Sequence, residues 1–179
     1  ERNARTLGSI LVPIDQAVQR LISARTAAEE LGVQRKIFAC TEARMAVAVT
    51  SDSDKRDHKY LSGLISSDGN HVYCGGLDAT IGRGLLYAPY ADVVCFMSST
   101  ANTSEAKTFA IAIRAEFPNK ELAFGYCPKP DGPRWNGMDH VTLGSELQSL
   151  GYDYYFLTQF GFSVFPQSQP ETPWVMVDD

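Results

Sequence analysis

The sequence predicts an α/β fold in which parallel strands are covered by helices. Four stretches with helical periodicity are each followed by a short, almost continuously apolar run of strand length. Such runs suit strands buried on both faces, as in parallel sheets. Glycine or proline punctuates most of the joints, at Gly32, Pro89, Pro118 and Gly151. Helices alternating with such strands supply the crossovers that a parallel sheet needs.

The first unit spans residues 14–31 (IDQAVQRLISARTAAEEL), where Val18, Leu21, Ile22 and Leu31 share a face. Asp15 is its candidate N-cap and Gly32 its C-terminal stop. Its strand is KIFA at 36–39. Residues 50–70 (TSDSDKRDHKYLSGLISSDGN) are rich in Ser and Asp and read as a long surface loop, a length that marks a functional or mobile segment.

The second unit is a helix over 76–87, weakened by Gly82 and Gly84, followed by the strand DVVCF at 92–96. In the third, Thr103 or Ser104 caps a helix to Phe117, with Phe109, Ala112, Ile113 and Phe117 inward. Its strand is ELAFGY at 121–126. The fourth helix, 138–150, turns Leu143, Leu147 and Leu150 inward and precedes DYYFLT at 153–158. Residues 1–164 form the domain; 165–179, with three prolines and no period, form an extended tail.

A doubly wound sheet and part of a (β/α)8 barrel both fit this pattern. In either, ligands sit at the C-terminal ends of the strands, here 40–43, 97–100, 127–135 and 158–161.

Composition narrows the function. The 179 residues are 44% hydrophobic and 21% charged, ordinary for a soluble globular domain. A net charge of −5 without a basic cluster argues against sequence-independent nucleic-acid binding. No apolar run approaches the roughly 20 residues that span a bilayer, and no secretory leader pattern is present. Cys40, Cys74, Cys95 and Cys127 lie far apart, without a C-x-x-C pair or a nearby histidine at ligand spacing. They read as structural thiols in a reducing, intracellular compartment.

Several strings resemble the isocitrate lyase family of the isocitrate lyase and phosphoenolpyruvate mutase superfamily. They are GSILVP at 8–13, ACTEA at 39–43, TSDSDKRDHKYLSG at 50–63, RGLLYAPYADVV at 83–94, EFPNKELAF at 116–124 and LGYDYYFLTQFG at 150–161. The resemblance covers roughly residues 1 to 161 and implies the second half of a TIM-type (β/α)8 barrel, beginning at the loop after the fourth strand. Half a barrel exposes two sheet edges and an open core. The expected partner is therefore a chain supplying the missing half, or another copy. The resemblance also implies a cytoplasmic location, or a glyoxysomal or peroxisomal one in a eukaryote.

The family's reaction is a reverse-aldol cleavage of isocitrate to succinate and glyoxylate. A magnesium ion stabilises charge on the glyoxylate part, and a cysteine in a K-K-C-G-H loop acts as acid–base toward the succinate carbanion. The ion's main ligands fall outside the matched half, so no metal site is expected within this chain. The K-K-C-G-H loop aligns with ERNAR at 1–5, placing Asn3 at the cysteine and Arg5 at the histidine. An amide cannot exchange a proton near neutral pH.

Other positions diverge in the same direction. In ACTEA, Cys40 replaces an arginine that holds a substrate carboxylate, while Glu42 keeps the acid. Met97 replaces a glutamate, and the family's E-R-T is LIS at 64–66. The carboxylate-gripping N-C-S-P-S aligns with GYCPK at 125–129, including Cys127 and Lys129, before an insertion carrying Arg134. Thr158 is retained. Losing acid, arginine, glutamate and serines together removes several kcal/mol of charge stabilisation apiece.

Two readings follow. One is a non-catalytic binding or assembly subunit. The alternative is a superfamily enzyme acting on another 2-hydroxy or 2-oxo acid with a partner half. Under the alternative, Lys129 and Arg134 hold a small carboxylate, and Cys40 or Cys127 is a candidate nucleophile. The plainer readings are solvated cations and core thiols. His58, His71 and His140 are expected at the surface. Asp52, Asp54 and Asp57 read as a solvated acidic loop, because their spacing is not that of an EF-hand.

Overall fold

The computed structural model describes residues 2–4, 8–127 and 140–157, with side chains described over 8–127 and 141–156. The tail at 165–179 lies outside the described residues. Two sheets form. The larger-stranded layer holds β1 (Arg2–Ala4), β2 (Gly8–Leu11), β4 (Ala46–Val49), β6 (His71–Tyr73) and β5 (Leu61–Ile65), in that spatial order. The other holds β3 (Phe38–Thr41), β7 (Val93–Ser98), β8 (Glu121–Tyr126) and β9 (Tyr154–Leu157), all parallel. Among the described residues four α-helices accompany them: α1 (Ile14–Glu30), α2 (Leu77–Tyr87), α3 (Thr103–Glu116) and α4 (His140–Ser149).

The parallel sheet is the expected run of helix–strand units. Strand alternation sends Val94, Phe96, Leu122, Phe124 and Tyr126 to the helix side, where they pack on Phe109 and Ile113 of α3 and Leu143 and Leu147 of α4. The opposite parity puts Val93, Cys95, Met97 and Ala123 on the inner face, with Phe38, Met45, Cys127 and Tyr154 against them. The two central strands, β7 and β8, are therefore covered on both sides, which is why their sequences are almost continuously apolar. Among the described residues β3 and β9 are open edges and the sheet does not close, consistent with part of a barrel.

The stretch at 50–70 is a correction. It holds a 3-10 turn at His58–Tyr60 and strand β5, which forms an antiparallel hairpin with β6 through a turn tightened at Gly69 with φ 77°. Leu64 and Ile65 of β5 are about two-thirds exposed, so the strand lacks the buried face that alternation would advertise. Asp54 and Asp57 are buried rather than solvated. Pro13 occupies the N-cap of α1 and has no side-chain acceptor, so the first helical N–H groups find partners in that stretch. The N–H of Ile14 donates to Asp57 Oδ2 (3.0 Å) and that of Asp15 to Asp54 Oδ2 (2.8 Å). Two carboxylates at a helix N-terminus also match its dipole. Asp15 is thus a first-turn residue, not the cap.

Smaller corrections have equally local causes. On α1, Ile14, Val18, Ala17 and Leu21 pack toward Ala39, Tyr87 and Ala91, leaving Leu31 77% exposed and Ile22 at the rim. β3 starts two residues late because Asp92 Oδ2, not a neighbouring strand, accepts the N–H of Ile37 (2.7 Å). Asn102, not Thr103 or Ser104, caps α3; its Oδ1 accepts from the N–H groups of Ser104 (3.1 Å) and Glu105 (3.2 Å).

Candidate functional site

The C-terminal ends of β3, β7 and β8 converge on the inner face. β3 ends at Thr41, and Glu42 opens a 3-10 turn over Ala43–Met45, its carbonyl accepting from the N–H of Met45 (2.9 Å). Glu42 is half-buried. Two residues later Arg44 makes a two-pronged ion pair with Glu105, Nε to Oε2 at 2.8 Å and Nη2 to Oε1 at 3.1 Å. It fastens the loop after β3 to the first turn of α3. Nothing in the sequence marks these partners, which are 61 residues apart.

Met97 and Gly125 are register partners on β7 and β8. A Cβ built at Gly125 would overlap Met97 Sδ outright and come within 2.8 Å of its Cε. The thioether thus lies in the space that any side chain at 125 would need. The glycine inside ELAFGY carried a readable signal, since glycine within a strand marks a close approach. Cys95, on the same face, donates its thiol to Met97 Sδ at 3.6 Å.

Cys40 stands directly opposite Cys95 across the β3–β7 ladder. Their hydrogen bond, and then burial, push the Cys95 thiol well above its ordinary range, so Cys95 rests as a neutral thiol. Cys40 is exposed and Cys127 half-buried, and all four cysteines are reduced. The N–H of Cys127 extends the ladder by donating to the carbonyl of Ser98 (2.8 Å).

The structure therefore brings Cys40, Met97 and Cys127 to one face and sets Glu42 at the end of β3. Asn3 belongs to the other sheet, on β1, in register with Ser9 of β2. Arg5, Lys129, Arg134 and Thr158 lie outside the described residues.

His58 is exposed, its Nε2 2.8 Å from the carbonyl of Asp52. His71 sits on β6, 3.7 Å from the Asp52 carboxylate, and the side chain of His140 lies outside the described residues. Asp52, Asp54 and Asp57 do not converge on a cation. Asp54 faces Arg56 at 2.5 Å, and Asp57 faces Arg83 at 2.7 Å with neither side chain exposed. The Arg56 guanidinium lowers the Asp54 carboxyl to about 2, against the opposing effect of its desolvation.

Among the described residues no three His, Cys, Asp or Glu side chains gather where they could hold a metal ion. They do not fit the magnesium that the resemblance implies. No helix among the described residues is long and apolar enough to cross a membrane.

Comparison with known proteins gives the fold its family. The model of the isocitrate lyase family matches residues 2–73 and 64–165. An isocitrate lyase of Salmonella typhimurium is 38% identical over 157 residues, covering 86% of this chain and 36% of that protein. One from Halalkalibacterium halodurans is 36% identical over 168 residues, covering 92% of this chain and 39% of that protein. Isocitrate lyase 1 of Mycobacterium tuberculosis is 32% identical over 158 residues, covering 87% and 36%. The chain thus spans well under half the length of these relatives. Its parallel helix–strand units and these matches lead to one conclusion: the chain belongs to the isocitrate lyase family.

Proposed function

We propose that this chain is a non-catalytic binding or assembly subunit of isocitrate-lyase type, seated against a partner that supplies further barrel strands or against a second copy of itself. The packing of Met97 over Gly125 carries the reading. If these positions once held a glutamate and an asparagine, as the resemblance implies, their replacements fit each other in size and polarity. A thioether fills the volume that the glycine leaves open, beside the neutral thiol of Cys95. A carboxylate there would lose hydration next to apolar and thiol groups, at a cost of several kcal/mol if it stayed charged.

Two further features support it. Asn3, aligned with the family's acid–base cysteine, carries no exchangeable acid near neutral pH. Among the described residues β3 and β9 are open edges, leaving ladder groups available to a neighbouring chain. A reducing, intracellular location belongs to the same reading, because all four cysteines are thiols.

The native mass of the purified particle, with mass-spectrometric identification of any co-purifying chain, tests the assembly. A dimer or higher oligomer, or a stoichiometric partner, is expected. A stable monomer at micromolar concentration overturns it.

A further inference from the structure

We propose that Cys40, Cys95 and Met97 form a binding site for one soft monovalent cation of the Cu(I) class. Three sulfur-bearing side chains occupy adjacent positions on one face of two neighbouring strands. Cys40 and Cys95 are register partners, and Met97 follows Cys95 by two residues, which returns it to the same face. The Cys95 and Met97 sulfurs are 3.6 Å apart. Two sulfurs each about 2.3 Å from a common ion subtend about 100° at that spacing, an ordinary ligand–metal–ligand angle.

Ligand chemistry selects the ion. Thiolate and thioether donors favour Cu(I), whereas carboxylate and carbonyl oxygens favour magnesium or calcium. A tetrahedral zinc site needs a fourth donor, and no third His, Cys, Asp or Glu joins these thiols among the described residues. Cys95 and Met97 are buried, forming a dry wall, while Cys40 is exposed and gives the ion a way in. Gly125 positions the thioether, because only a residue without a side chain leaves Sδ where it is. Binding forms two copper–thiolate bonds and one copper–thioether contact, releases two thiol protons to solvent, and leaves copper as Cu(I).

The test is anaerobic titration of the reduced full chain with Cu(I) against bicinchoninate as competing chelator. One ion per chain is expected, with Zn(II) unable to displace it. Cys40→Ser should weaken binding by more than the roughly 10- to 100-fold that loss of an outer-shell partner costs. Met97→Leu should weaken it measurably, and Cys74→Ser should leave it unchanged. Because Cys40 is exposed, circular dichroism should show its variant folded. Wild-type affinity in folded Cys40→Ser, an equal loss in Cys74→Ser, or displacement by Zn(II) overturns the site.

Discussion

Asp57 and Arg83 form an ion pair at 2.7 Å in which neither side chain is exposed. Asp57 Oδ2 simultaneously accepts from the N–H of Ile14 at the start of α1, and Arg83 Nη1 donates to the hydroxyl of Tyr87 at 3.0 Å. One carboxylate therefore ties the chain after β4 to two helices. Removing it strands a buried guanidinium and the N–H of Ile14 at the start of α1. Asp57→Ala should cost about 3–5 kcal/mol, read from the urea unfolding midpoint. A loss under 1 kcal/mol would show that the network contributes little.

Asp54 gives a pH signature. Its carboxyl is lowered from 3.8 to about 2, chiefly by the hydrogen bonds from Arg56. A carboxyl depressed on folding stabilises the native state above its unfolded value and loses that contribution as pH falls through its folded value. The stability difference between wild type and Arg56→Gln should therefore be constant above about pH 4 and shrink between pH 4 and 2. A difference independent of pH across that window contradicts the assignment. The magnitude is small, because the Arg56 side chain is 46% exposed and its pair is screened by solvent.

The close approach of Met97 to Gly125 predicts a coupled pair. Gly125→Ala should destabilise by about 1–3 kcal/mol through overpacking. Adding Met97→Ala should recover part of that loss, since the new methyl group then meets a vacated space. Additive losses in the double-mutant cycle would show that the two residues do not compete for volume.

How far the sequence disclosed all this depended on where each partner lies. β8 is legible over all six of its residues, because burial on both faces makes the stretch after Glu121 nearly continuously apolar. The hairpin β5/β6 was hidden for the opposite reason: exposed Leu64 and Ile65 sit among serines, and no alternation reports an inner face. Asp54 and Asp57 read as solvated because their partners at α1 lie 39 and 43 residues away. At the site, the resemblance marks Cys40 and Met97, and topology marks their strand ends. The contact that gives them meaning, a thioether over a glycine on the next strand, is a tertiary one. Arg44 with Glu105, 61 residues apart, is unmarked in the sequence for the same reason.

The most direct measurement of the central claim is glyoxylate release from isocitrate with magnesium, assayed on the purified full chain in its native assembly and on the chain freed of any co-purifying protein. No glyoxylate should form from the freed chain, and any activity of the assembly should persist when Met97 is changed to Leu. Release by the freed chain, or activity of the assembly abolished by that substitution, would make this polypeptide a working part of a lyase and contradict the account.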